Sequence, residues 1–89
     1  MENFYEQGNY EKALPYLVED YKVSLRNHIY GSAFNASIHI GNIYLRQGRL
    51  AKADSVFDVS TQLLVSKKDM FGVQSLLEYY SLGFQLKKE

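Results

Sequence analysis

The sequence contains no cysteine and no tryptophan, and it contains one proline in 89 residues. Without cysteine the chain forms neither a disulfide framework nor a thiolate zinc site, and this composition fits a reducing compartment. No apolar run approaches the ~18 residues that a membrane-spanning helix needs, and the first residues show no signal-peptide pattern. These absences predict a cytoplasmic protein that has no membrane partner.

The chain also lacks net charge, because ten Lys and Arg residues balance ten Asp and Glu residues. A protein without an overall positive field does not attract nucleic acid strongly, so we expect no nucleic-acid partner. The composition is otherwise that of a folded protein, 46% hydrophobic and 22% charged, which excludes intrinsic disorder. A chain of this length forms one domain with a modest core.

Residues that could carry chemistry are few and scattered. His28 and His39 are 11 residues apart, and neither has a carboxylate at helical spacing, whereas a zinc site needs several converging ligands. Asp54 and Asp58 form an i,i+4 pair that could act as paired acids, but a solvated helix face explains it more simply. No glycine-rich phosphate loop is present. We therefore expect no enzymatic activity, no metal site and no cofactor.

Apolar residues recur every three or four positions along most of the chain, which is typical of amphipathic helices. Turn and capping residues interrupt this pattern at Gly8-Asn9, Asn27-His28 and Gly48-Arg49, and again at about Ser66 to Asp69. The spacing predicts an all-α fold with helices at about 2–7, 10–26, 30–47, 50–66 and 70–88.

The chain is partly self-similar at a distance of about 40 residues, which is the mark of a repeat architecture. A shift of 40 aligns Phe4 with Tyr44, Gly8 with Gly48, Ala13 with Ala53, and Leu17 with Phe57. A shift of 42 aligns Ile40-Gly41 with Leu82-Gly83. A mid-helix glycine costs ~1 kcal/mol relative to alanine, so Gly41 and Gly83 predict places where two helices approach closely.

The middle of the chain carries the most specific pattern, Ser37-x-x-Ile40-Gly41-x-x-Tyr44, then the Gly48 turn, then Ala53-x-x-x-Phe57. It resembles the tetratricopeptide repeat, whose pattern is W-x₂-L-G-x₂-Y followed by A-x₃-F. The tryptophan is replaced, no proline follows, and the spacing of ~40 exceeds the usual 34, as in bacterial regulatory proteins of this family. The resemblance implies antiparallel helix-turn-helix repeats in a short right-handed superhelical array of about five helices.

The same resemblance divides the chain into a partial repeat at 1–28, a full repeat at 29–67 and the first helix of a further repeat at 68–89. Apolar residues lie nearly all round the last helix, at Leu76, Leu77, Tyr79, Tyr80, Leu82, Phe84 and Leu86. Such a helix needs cover on more than one face. We therefore expect residues 1–89 to be a single domain that is a slice of a longer array, or a subunit whose ends are covered in a homodimer.

In tetratricopeptide-like arrays the first helices line a concave face that binds a peptide or partner protein, so the resemblance implies an interaction scaffold within a larger regulatory or signalling protein. By helical phase, the lining residues are Asn35, Ile38, Asn42, Leu45, Arg46, Leu77, Tyr80, Phe84 and Lys87. Asn42 could bond a peptide backbone, and Arg46 a carboxylate. The alternative is that the apolar members pack against neighbouring helices, which would make the chain a structural spacer or homodimerisation element.

Overall fold

The computed structural model describes residues 9–67 and 71–88, which contain four α-helices and no strand. They are α1 (Tyr10–Arg26), α2 (Tyr30–Arg46), α3 (Leu50–Lys67) and α4 (Val73–Lys88). The all-α expectation is confirmed, and the first three of these helices end within one residue of the predicted bounds. The fourth begins three residues later than expected, at Val73 rather than residue 70. The helix expected at 2–7 lies outside the described residues.

The turn between α2 and α3 is built around Gly48, which has a φ of 75°. The Arg49 N–H donates to the Tyr44 carbonyl at 2.8 Å, and the Gly48 N–H donates to the Leu45 carbonyl at 3.1 Å. This pair of bonds is the Schellman motif, which satisfies the last carbonyls of a helix and needs a left-handed residue. The glycine therefore serves the tight reversal that the sequence predicted.

The turn between α1 and α2 repeats this geometry, with His28 in the place of the glycine. The Ile29 N–H donates to the Ser24 carbonyl at 2.8 Å, and the His28 N–H donates to the Leu25 carbonyl at 3.1 Å. His28 has a φ of 59°, a conformation that crowds the β-carbon of any non-glycine residue. Its Nδ1 lies 2.9 Å from the Tyr30 hydroxyl in an exposed hydrogen bond, which offsets little of that strain.

His28→Gly is expected to raise the free energy of unfolding by about 0.5–1 kcal/mol. Relief of the left-handed strain contributes ~1–2 kcal/mol, and the greater freedom of glycine in the unfolded chain removes part of it. Urea denaturation followed by circular dichroism measures the difference. His28→Ala is the matched control, because it removes the Tyr30 hydrogen bond without relieving the strain. A gain in stability from His28→Ala as large as from His28→Gly would contradict the explanation.

Helix α2 is the centre of the fold, since it packs against α1, α3 and α4, while α3 also packs against α4. The buried cluster at this junction joins side chains of α2 and α4, namely Phe34, Ile38, Tyr79 and Leu82. Aromatic rings extend the cluster: Phe34 stacks on Phe71 with centroids 4.2 Å apart, and Phe57 stacks on Tyr79 at 4.8 Å. Full burial of such a side chain stabilises the fold by about 1.5–3 kcal/mol.

The two mid-helix glycines lie where helices approach closely, as the sequence predicted. A β-carbon at Gly41 would lie 2.8 Å from Leu82 Cδ2 of α4, and one at Gly83 would lie 2.7 Å from Phe57 Cζ of α3. Both distances are shorter than carbon atoms tolerate. The glycines therefore let α4 settle against α2 and α3, at the expense of helix propensity.

A pair of buried hydroxyls joins α2 to α3. Ser37 Oγ and Ser60 Oγ are 2.6 Å apart, and Ser37 occupies the place where the tetratricopeptide pattern has tryptophan. Ser37 Oγ also donates to the Phe34 carbonyl at 2.7 Å, and Ser60 Oγ to the Val56 carbonyl at 3.1 Å. The two hydroxyl protons satisfy two of these three contacts at a time, so one serine donates to the other, and the serine that accepts donates to its own carbonyl.

Candidate functional site

Helices α2 and α4 lie side by side and run in the same direction. Three contacts join them or the residues just before them: Phe34 with Phe71, Ser75 Oγ donating to Asn35 Oδ1 at 3.4 Å, and His39 Nε2 with Glu78 Oε2 at 3.4 Å. Because both partners advance along the chain together, the pairing is parallel. The C-terminal ends of α2 and α4 therefore lie at the same end of the molecule.

His39 and Glu78 form a contact between these helices that is an ion pair when the histidine is protonated. Glu78 Oε2 is buried and lies at ion-pair distance from His39 Nε2, yet it accepts no hydrogen bond of good geometry. Both side chains are partly shielded, with 26% and 32% of their surface exposed. The attraction between a carboxylate oxygen and a nearby positive charge is stronger at a shielded site such as this one than in water. Glu78 is also the only acidic residue in the sequences of α2 and α4.

One face of α4 carries a row of exposed apolar side chains, which we call the α4 stripe. It consists of Val73, Leu77, Tyr80 and Phe84, whose side chains are 74%, 60%, 61% and 67% exposed. The spacing of four, three and four residues keeps them on a single helical face. Large apolar side chains grouped on one face, rather than scattered singly, are the usual mark of an interaction site.

Of the predicted lining residues, those on α4 are all exposed. Leu77, Tyr80 and Phe84 form most of the α4 stripe, and Lys87 is exposed one turn beyond it. The Tyr80 ring makes an edge contact with the Tyr79 ring at 5.2 Å, so its position is guided by the core. Val73 was not among the predicted residues, although the same four-residue step back from Leu77 points to it.

The predicted lining residues on α2 divide into two groups. Ile38 is 0% exposed and belongs to the core, so its assignment to the lining face is corrected. Its side chain is enclosed because α4 packs against this side of α2. Leu45 is half-buried against the same core. Asn35 is half-buried and bonded to Ser75, whereas Asn42 is half-buried and Arg46 is exposed.

Exposed positive charge is concentrated at one end of this surface. Arg46 ends α2 and Lys87 lies in the last turn of α4, so both stand at the shared C-terminal end of the parallel helices. Cations there also complement the negative ends of two helix dipoles, each by about 0.3–1 kcal/mol. The surface thus has an apolar row that leads to a basic end.

Within 9–67 and 71–88, no three His, Asp or Glu side chains are grouped as metal ligands. No helix in that part of the chain combines the length and apolar character that a membrane crossing requires. An open hollow of about 630 Å³ lies beside α1, where Tyr16, Asp20 and Val23 are among the described residues that line it.

Comparison with known proteins identifies no relative. A scan against protein-family models finds no match, and searches of curated proteins and of solved structures find no similar protein. What the chain does must therefore be argued from its own surface.

Proposed function

We propose that this chain is a protein-interaction module of the tetratricopeptide type, which binds a peptide or partner protein as part of a larger regulatory or signalling protein. The observation that carries the proposal is the α4 stripe, four large apolar side chains exposed on one face and flanked by a basic end. When another protein covers an apolar surface of this kind, the side chains leave water and the free energy falls.

The tetratricopeptide assignment is supported by the repeated local geometry. Helices α1, α2 and α3 begin at residues 10, 30 and 50, and the same Schellman turn joins each to the next. Gly41 and Gly83, which the repeat pattern aligns, both stand at close helix contacts. A regular alternation of equal antiparallel helices is what a right-handed superhelical array of such repeats requires.

The polar residues of α2 have defined roles in this proposal. Asn42 offers both a donor and an acceptor to polar groups of a partner, and the exposed Arg46 offers a forked pair of donors to a carboxylate. Asn35 contributes less, because Ser75 already donates to its oxygen. Tyr80 and Phe84 provide the large amphipathic contacts that carry most of the binding energy at interfaces.

The second candidate function is a structural spacer or homodimerisation element, and the α4 stripe favours it too. Two copies that cover each other's stripes would bury the same apolar surface without any peptide. This alternative makes a separate expectation: sedimentation would show a dimer at micromolar concentration, and Tyr80→Ala would dissociate it. In a monomer, Tyr80→Ala changes the free energy of unfolding by no more than about 0.5 kcal/mol, because the side chain is exposed.

The double variant Asn42→Ala/Arg46→Ala is expected to reduce partner recovery at least ~10-fold in a pull-down from lysate of the source organism. Neither side chain belongs to the buried core, so the helicity measured by circular dichroism should equal that of the wild type. Arg26→Ala is the matched control, because Arg26 is also an exposed cation that ends a helix, on α1.

Three results of the pull-down separate the two candidate functions. Loss of a partner with the double variant, and not with Arg26→Ala, supports the interaction surface. Equal recovery with all three proteins contradicts a role for Asn42 and Arg46. Recovery of nothing but the chain itself, with a dimer seen in sedimentation, assigns the surface to homodimerisation.

A further inference from the structure

The geometry of the α4 stripe distinguishes between two shapes of partner. Its members are spaced by four, three and four residues, so they form a ridge nearly parallel to the helix axis. Four same-face side chains of an extended peptide span ~20 Å, whereas the four members of the stripe span ~16.5 Å along the helix axis, so an extended peptide drifts out of register with the stripe. A second helix with apolar residues at i, i+4, i+7 and i+11 has the same spacing and matches the stripe along about three turns.

The charges beside the stripe define the polar flank of that helix. The only acid on α2 or α4 is Glu78, which faces His39, so the exposed charge that remains on these two helices is positive. Arg46 and Lys87 are both exposed, and each lies at the C-terminal end of its helix. A partner with acidic residues at that end is attracted, and one with basic residues there is repelled.

The position of the charge also fixes the direction of the partner helix. Acidic residues are favoured in the first turn of a helix, where they complement its dipole. A helix whose first turn lies at the C-terminal end of α4 runs antiparallel to α4, and its dipole then opposes that of α4 favourably. The neighbouring helices α1, α2 and α3 already alternate in this way through their short turns.

We propose that the α4 stripe binds an amphipathic helix of a partner protein, one that runs antiparallel to α4 and carries acidic residues in its first turn beside Arg46 and Lys87. The inference rests on the proposed interaction function and names the class of partner. The apolar row supplies affinity, while the basic end supplies direction and specificity.

The test uses two synthetic helical peptides of about 18 residues with identical composition. Both carry leucine at i, i+4, i+7 and i+11, but one has two glutamates in its first turn and the other has them in its last turn. Fluorescence anisotropy with the whole chain measures both affinities. The acid-first peptide is expected to bind about fivefold more tightly, and raising the salt concentration should remove the difference.

Two variants of the chain separate the apolar and the charged contributions. Leu77→Ser/Phe84→Ser is expected to lower the affinity of the chain for both peptides at least ~10-fold. Val65→Ser is its matched control, since Val65 is 75% exposed on α3, outside the stripe, and should leave both affinities unchanged. Lys87→Glu leaves no net charge at this end beside Arg46, so it is expected to abolish the preference between the two peptides.

Each other outcome overturns the proposal in a recognisable way. Equal affinity for the two peptides overturns the acidic, antiparallel partner. If neither peptide binds, the proposal of a helical partner is overturned. The interaction function still stands in that case if the Asn42→Ala/Arg46→Ala variant loses a partner in the pull-down. If the chain forms a dimer and Leu77→Ser/Phe84→Ser dissociates it, the stripe binds a second copy of this chain.

Discussion

Replacement of Phe34 by alanine is expected to lower the free energy of unfolding by about 3–5 kcal/mol. Phe34 is 0% exposed on the central helix α2, its ring stacks on Phe71 at 4.2 Å, and it lies 5.7 Å from the Tyr79 ring. Truncation therefore removes the transfer free energy of the ring and leaves a cavity between α2 and α4. A domain of this size has about 4–13 kcal/mol of stability in all, so the variant is close to unfolding.

Urea denaturation followed by circular dichroism measures this loss, with two control variants. Phe34→Leu keeps most of the volume and should lose clearly less than the alanine variant. Tyr80→Ala removes an aromatic ring of similar size that is 61% exposed, and should cost no more than about 0.5 kcal/mol. If the Phe34 and Tyr80 variants lost equal stability, the assignment of Phe34 to the core and of Tyr80 to the exposed α4 stripe would be wrong.

The sequence alone was sufficient for those features that depend on local chemistry. The turns at His28 and Gly48 follow from residues that end helices, and the periodic apolar residues between them determine three of the four helices. The close contacts at Gly41 and Gly83 were also predictable, because a glycine in mid-helix is costly unless another helix occupies its space.

Features that depend on how the helices dock could not be obtained in that way. Helical phase gave Ile38 to the lining face, but its burial depends on where α4 packs, and no local pattern carries that information. The same reason applies to His39, whose carboxylate partner Glu78 lies 39 residues away in the sequence and not at helical spacing. The outward position of Leu77, Tyr80 and Phe84 on α4 could be obtained from helical phase, because exposure on an outer helix depends on fewer neighbours.

Gly83→Val is expected to destabilise the protein by about 1–3 kcal/mol, through overpacking against Phe57. A β-carbon alone would lie 2.7 Å from Phe57 Cζ and 3.0 Å from Cε2, and the ring cannot swing away freely because it stacks on Tyr79. Valine is the better helix former by a few tenths of a kcal/mol, but this gain is smaller than the steric cost. The clash should therefore displace α4.

Displacement of α4 connects the core to the proposed surface. Gly83 is buried and faces away from the stripe, so Gly83→Val changes no exposed residue. The variant should nevertheless lower the affinity for the acid-first peptide, in proportion to how far it loosens α4. Hydrogen exchange of the α4 amides measures the loosening directly. Gln85→Val is the matched control, since it places a valine at an exposed position of α4 away from the stripe and should alter neither stability nor binding appreciably.

A second-site change tests whether Phe57 is the obstacle. In the double variant Gly83→Val/Phe57→Leu, the smaller side chain vacates the space that the valine needs, so the loss should be less than the sum of the two single losses. The coupling free energy of such contacting pairs is about 0.5–3 kcal/mol. Strict additivity would show that the valine is accommodated elsewhere, and that α4 is not held by the contact between Gly83 and Phe57.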